Sequence, residues 1–284
     1  MKLITWNIQW GRGLDGRVDL ARIVREARAL ADFDVICMQE VADNFPGLEG
    51  NDERDQFAEL SRLLPGYAMA KGFGVDVVAD DGRRRRFGNV IFTRYTISSV
   101  RRHALPWPAD RGTSTMPRVA IEATLQAPMG PLRVTTAHLE YYSDVQRRAQ
   151  AARLRHLHDE ACHRVSHPGD STIEGGPFDA TPQSIDAILA GDFNFPPSHA
   201  AYAEIQQAGA IDCPPYRDAW ALAHGRRPHA PTFCVHDHAY SKEPYCCDFV
   251  FVSETLASRV HGVTVDPDTR ASDHQPVILE LDDR

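Results

Sequence analysis

The amino-acid sequence predicts an α/β protein, on three observations. Short β-type segments recur along the chain, helical apolar spacing fills the intervals between them, and most of the strands stop at a polar residue. Alternation of strand and helix is what layered α/β architectures require.

Lys2–Trp6 alternates as a strand and runs into Asn7. Leu20 to Ala31 then sets Leu20, Ile23, Val24, Ala27 and Leu30 at the spacing of one buried helical face. The strand Asp34–Met38 runs into Gln39-Glu40, and Gln56–Leu64 reads as a second helix. Asn89–Thr93 and Val119–Leu125 carry the composition of strands. Leu132–Ala137 runs into His138, Val145–Val165 reads as a third helix, and Ile185–Ala190 runs into Gly191-Asp192-Phe193-Asn194. Asp248–Val252 is a further β segment, and Ser272-Asp273-His274 precedes the last strand, Val277–Leu281. Asp43–Asp55 and Ser166–Ser184 read as long surface loops, each a candidate for substrate contact. With no repeat, heptad run or composition shift, one domain over residues 1–284 is expected.

Apolar residues make up 43% of the 284 and charged ones 25%, the balance of a globular core. The longest apolar run is five residues, Ala219–Ala223, against the ~18 of a membrane span, so no spanning helix is expected. The N-terminus lacks the apolar stretch of a signal peptide. A cytoplasmic location and six reduced cysteines are therefore expected. A net charge of −8 excludes a broad basic surface for nucleic acid, so any polyanion contact has to be local.

Residues that follow the last apolar position of a strand emerge at the sheet edge, where loops gather them. Asn7, Glu40, His138, Asp192, Asn194, Asp273 and His274 all stand at such positions. Carboxylate and amide oxygens without thiolates suit a hard cation, Mg²⁺ or Mn²⁺. Such a cation offsets charge on a phosphoryl group, and the imidazoles suit proton transfer near neutral pH. Hydrolysis of a phosphate ester is the chemistry that uses this collection. Asp192 and Asn194, two apart, share one face of an extended chain; an Asx turn closing the strand is the competing structural explanation. Asp248 opens a buried strand, where a carboxylate needs a partner, and a histidine suits it.

Trp6-Asn7, Gln39-Glu40, Thr136-Ala137-His138-Leu139, Gly191-Asp192-Phe193-Asn194, Asp248-Phe249-Val250-Phe251-Val252-Ser253 and Ser272-Asp273-His274-Gln275-Pro276 together resemble the endonuclease/exonuclease/phosphatase superfamily, in its order and over nearly the whole chain. The resemblance implies a four-layer sandwich, two central mixed β-sheets face to face with helices outside. It implies Glu40 as main metal ligand, assisted by Asn7 and Asp273. Asp192 would orient or deprotonate the water, Asn194 and His138 would bind phosphate, and the His274–Asp248 pair would stabilise the transition state. The implied activity is a Mg²⁺- or Mn²⁺-dependent phosphodiesterase, with nucleic acid ahead of a lipid or small phosphoester as substrate. The abasic-site branch carries Tyr where His138 stands, whereas deoxyribonuclease-like and sphingomyelinase-like members carry His. Gly88-Asn89 also resembles the family, which makes Asn89 a candidate substrate contact.

Arg83–Arg86 reads as a solvated hairpin turn in preference to a phosphate-steering patch. His229, Cys234, His236, His238, Cys246 and Cys247 crowd together, but their spacing matches no zinc pattern, so a loop leading to Asp248 is expected.

Overall fold

The structure is a computed structural model that describes residues 1–169, 176–179, 181–209 and 213–282. In chain order its elements are β1 (Lys2–Asn7), α1 (Leu20–Leu30), β2 (Val35–Asp43), α2 (Gln56–Leu63), β3 (Ala68–Val78), β4 (Arg84–Thr93), β5 (Ile97–Ala104), β6 (Val119–Ala127), β7 (Gly130–His138), α3 (Asp144–Ser166), β8 (Ala187–Asp192), α4 (Ala200–Ile205), β9 (Tyr216–Asp218), α5 (Ala219–His224), β10 (Asp248–Ser253), β11 (Val260–Val265) and β12 (Val277–Leu281).

Two six-stranded mixed sheets form the centre, ordered β11-β12-β1-β2-β4-β3 and β5-β6-β7-β8-β10-β9. Each has one parallel pair at its middle, β1 with β2 and β7 with β8. The period of two along each strand divides its side chains between two cores. Leu3, Val35, Cys37 and Ile91 of the first sheet meet Ile121, Val134, Ile188 and Val250 of the second. Their neighbours Ile4, Trp6, Ile36, Met38, Val90 and Phe92 face outward under α1 and α2. On the other side Ala137, Leu189, Phe249 and Phe251 pack beneath α3 and α4. Burial on both faces explains the near-continuous apolar runs of β2, β8 and β10. The expected four-layer α/β sandwich is what forms.

The helices start where side chains cap them. Asp19 accepts from the Arg22 N–H at 2.9 Å, Asp55 from Ala58 at 3.0 Å and Ser143 from Gln146 at 3.2 Å. Among the described residues no helix is long and apolar enough to cross a membrane.

Three expectations change or narrow. Cys162 of α3 and Cys213 are joined as a disulfide, so the six cysteines are not all free thiols; the fold brings the two Cα atoms to 5.4 Å across 51 residues. Arg84–Arg86 lie inside β4, and Arg83, Arg84 and Arg86 pair with Glu53, Asp76 and Asp43, which leaves little of a free steering patch. Of the loop expected over Ser166–Ser184, Ser166 closes α3, and residues 170–175 and 180 lie outside the described residues.

Candidate active site

The topology gathers the polar strand ends at one edge. Parallel register sets Asn7 beside Gln39 and His138 beside Asp192, while antiparallel register sets Asp248 opposite Asp192. The segment before β12 enters the same edge, because Trp6 Nε1 donates to the His274 carbonyl at 2.9 Å.

Glu40 reaches the cluster through an irregularity in β2. Pairing with β4 slips between Met38 and Val41, and Glu40 takes φ 60°. Such a bulge redirects one side chain at a cost in backbone strain. Its neighbour Gln39 points between the sheets, where Nε2 donates to Thr5 Oγ1 at 3.1 Å and to Thr136 Oγ1 at 2.9 Å. Glu40 Oε1 accepts from Asn7 Nδ2 at 3.1 Å. Burial pushes the Glu40 carboxyl up to about 7, and Asp273 and Asp192 add to the rise against the Asn7 hydrogen bond. Asp273 is raised as well, by burial first, and its Oδ2 accepts from Gln9 Nε2 at 2.8 Å.

Asp192 stands between two imidazoles. Its Oδ2 accepts from Asn7 Nδ2 at 3.0 Å and lies 3.4 Å from His138 Nε2 and 3.7 Å from His274 Nε2. Its Oδ1 accepts from the Asn194 N–H at 2.9 Å, so the Asx turn exists and serves to aim the carboxylate. A Cβ on Gly191 would sit 1.9 Å from the Ala137 carbonyl, which restricts that position to glycine. Asn194 Nδ2 donates to Leu139 O at 2.9 Å and to His138 Nε2 at 3.0 Å. His138 accepts at Nε2, so its proton rests on Nδ1. Burial, with Arg118 and His274 nearby, pushes its pKa down to about 3 despite Asp192.

His274 has the opposite balance. Nδ1 donates to Asp248 Oδ2 at 2.9 Å, the same oxygen accepts from Thr232 Oγ1 at 2.6 Å, and Phe233 covers the ring at 4.4 Å. Burial opposes the imidazolium, but Asp248, Asp192 and Asp273 outweigh it and hold the pKa well above the ordinary value. All eight site residues expected from the sequence thus fall in one linked cluster.

A cleft of about 160 Å³ opens over Glu40, His138, Asn194, Asp273 and His274. Gln9 and the aromatic residues Trp10, Tyr141, Tyr142, Phe233 and Tyr240 complete its lining, and none of the six stood out in the sequence. The pair Tyr141-Tyr142 stands three residues past His138, which is the one signal that could have flagged it. Asn89 donates to Val119 O at 3.0 Å and lines a small neighbouring recess with Arg118 and His138. The Asp43–Asp55 loop contributes nothing to the cleft lining. Instead the Glu49 carbonyl accepts from Trp10 Nε1 at 3.0 Å and so fixes that ring. The clustered histidines and cysteines before β10 disperse: His229 bonds Asp218, His236 bonds the Pro267 carbonyl, and Cys246 bonds the Asp248 carbonyl.

A profile of the Endonuclease/Exonuclease/phosphatase family matches residues 4–274. The chain belongs to that family. Solved structures of family members share its fold. A family protein from Bacteroides thetaiotaomicron superposes with a TM-score of 0.67 at 18% identity, covering 99% of this chain and 94% of that one. A mannosyl-6-phosphatase from Bacteroides thetaiotaomicron VPI-5482 gives 0.65 at 20% identity and covers 99% of both. A 3′ phosphatase from Neisseria, bound to a product DNA hairpin, gives 0.60 at 20% identity, again with 99% of both chains. At these identities the likeness is one of fold. No curated protein matches the chain in sequence.

Proposed function

We propose that residues 1–284 form one catalytic domain, a Mg²⁺- or Mn²⁺-dependent hydrolase of phosphate esters, foremost a phosphodiesterase of the nuclease type. The observation that carries this reading is Asp192 Oδ2, 3.4 Å from His138 and 3.7 Å from His274, beside the Glu40–Asn7 pair. A lipid or small phosphoester is the second reading, favoured by a cleft that no Lys or Arg lines among the described residues.

The donor set fits a hard cation. Glu40 and Asp273 offer carboxylate oxygens. Asn7 turns Nδ2 toward Glu40 and Asp192, and its Oδ1 takes the Gln9 N–H at 3.0 Å, so its amide would have to turn over to join them. Burial raises both carboxyls, and a cation there would oppose that rise. Asp192, Cys247, Asp248 and His274 also lie close enough to hold an ion. They are the poorer site, because Asp248 already serves His274 and Thr232 and burial keeps the Cys247 thiol protonated. A bound Mg²⁺ or Mn²⁺ would offset charge growing on the phosphoryl oxygens.

The protein groups supply the remaining steps. Asp192, fixed by Asn7 and by the Asn194 N–H, orients the attacking water and takes its proton. His274, held by Asp248, turns Nε2 toward the same point and stabilises the pentavalent transition state. Neutral His138 and Asn194 form a joined pair, and an arriving phosphoryl oxygen takes the Asn194 hydrogen now donated to His138 Nε2.

The test is a panel of bis-p-nitrophenyl phosphate, p-nitrophenyl phosphate, plasmid DNA, an abasic oligonucleotide and sphingomyelin, with Mg²⁺, Mn²⁺ or EDTA. Diester cleavage that EDTA abolishes is expected. Failure to cleave any of them with either metal overturns the reading.

A further inference from the structure

Aromatic rings lead outward from His274 to solvent. Phe233 lies 4.4 Å from the imidazole, Tyr240 stacks on Phe233 at 6.0 Å, Tyr141 follows at 6.4 Å and Tyr142 at 4.8 Å. Tyr142 is 65% and Tyr240 54% exposed, although both line the catalytic cleft. Tyr141 is anchored by its backbone, since its carbonyl accepts from Arg147 Nη1 at 2.6 Å. Open aromatic faces beside a polar centre mark a place for a ligand, and ring faces are what they stack.

Charge narrows the ligand further. Among the described residues no Lys or Arg lines the cleft, whereas binding a polynucleotide depends on Lys and Arg at the phosphates flanking the reacting one. Arg12, Arg118 and Arg147, which flank lining residues in sequence or space, pair with Glu49, Glu140 and Asp144. Of them Arg118, in the recess beside His138, keeps Nη1 without a partner among the described residues, a place for one phosphoryl oxygen but not for a chain of phosphates. The cleft, of about 160 Å³, opens to solvent where Tyr142 and Tyr240 stand.

We propose that the substrate is a short phosphoester whose organic part carries an uncharged ring, seated against Tyr142 and Tyr240, with no further phosphates along a chain. This rests on the hydrolase reading of the same site, and within it takes the small-phosphoester alternative over the polynucleotide one. The shared chemistry is a ring face, which a flat base or a saturated sugar can both present.

The experiment compares thymidine 5′-(p-nitrophenyl) phosphate with methyl p-nitrophenyl phosphate, which share a leaving group and differ in the ring. The wild-type protein with Mn²⁺ is expected to favour the thymidine ester by roughly tenfold in kcat/KM, mostly through KM. Tyr142→Ala and Tyr240→Ala should each lose most of that preference, while Tyr142→Phe and Tyr240→Phe keep it. Both side chains are more than half exposed, so the variants fold. An absence of hydrolysis on both esters, together with failure on the whole panel above, would end the hydrolase reading alone. Calorimetric binding of thymidine 5′-monophosphate, glucose 6-phosphate and glycerol 3-phosphate then decides the ring. One ring phosphate binding about tenfold tighter than glycerol 3-phosphate, with the margin lost in both alanine variants, sustains the proposal and tells base from sugar. Equal binding of all three, an undiminished margin in the variants, or far stronger competition by a long oligothymidylate overturns it.

Discussion

Asp248 and His274 form a buried pair, with Oδ2 of the one 2.9 Å from Nδ1 of the other across 26 residues of sequence. That oxygen also takes the Thr232 hydroxyl, while Asp248 Oδ1 is buried without a hydrogen-bond partner. An unsatisfied buried oxygen is costly, which indicates a carboxylate kept for what it does to the imidazole. Asp248→Asn preserves the shape and removes the charge that fixes the tautomer. The expected result is a kcat loss of at least ~10²-fold with KM within a few-fold. Steady-state kinetics check it, and wild-type turnover in a folded variant would refute the role.

Asp192 carries a different burden, because both of its oxygens are already aimed. Asp192→Asn keeps the turn through Oδ1 but cannot accept a proton from water. Turnover should fall by at least ~10²-fold, as removal of a general base does. His274→Ala should fall by a similar factor through lost charge stabilisation. A smaller loss in Asp192→Asn than in Asn194→Ala would transfer the base to another group.

Glu40 is expected to govern metal binding more than turnover at saturation. Replacing it by Gln removes one negative charge from a partly buried site, where each charge weighs more than in water. Calorimetry with Mn²⁺ should show affinity at least ~10-fold weaker for Glu40→Gln than for wild type, with dialysis against EDTA abolishing activity in both. Unchanged Mn²⁺ affinity would remove Glu40 from the ligand set.

Much of this site was legible because β1, β2, β7, β8 and β10 are buried on both faces, so each polar residue at their ends stands out against an apolar run. The capped, amphipathic α1 and α2 were legible by the opposite pattern, one buried stripe against a polar face. What escaped has physical causes. β5 reads Ile-Ser-Ser-Val-Arg-Arg-His-Ala because it is an edge strand, and the edge strand β3 is interrupted by Gly72 and Gly74, where a Cβ would meet Ile121 and the Pro117 carbonyl. β9 has only three residues, and β11 includes His261 and Gly262 at the other sheet's edge. The bulge that aims Glu40 lacks a glycine to announce it. The aromatic wall joins residues from four separate stretches of chain, a proximity that only the tertiary fold creates.

His158 of α3 gives a prediction about stability that stands apart from the chemistry. Its Nδ1 accepts from Arg133 Nη2 at 2.7 Å, its Nε2 donates to the Pro214 carbonyl at 2.8 Å, and Tyr216 stacks on the ring at 4.2 Å. Arg133 in turn pairs with buried Glu122 at 3.0 Å. Burial, then the Arg133 guanidinium, push the His158 pKa down to about 4, against the pull of Pro214 and Glu122. An unfolded chain takes up that proton near pH ~6.5, and the folded one does not until about 4. Between those values the unfolded state binds more protons, so stability falls as pH falls. The contribution is whole above pH ~6.5 and gone below about 4, up to roughly 3 kcal/mol at ~1.4 kcal/mol per pH unit. His158→Gln can keep both hydrogen bonds without titrating. Its urea midpoint should therefore decline less steeply than that of wild type between pH 6.5 and 4, whatever the offset at pH 8. His138 and the carboxylates titrate alike in both proteins, so the difference in slope isolates this one imidazole. Parallel slopes would mean that His158 is protonated in the folded state and that Arg133 does not oppose its charge.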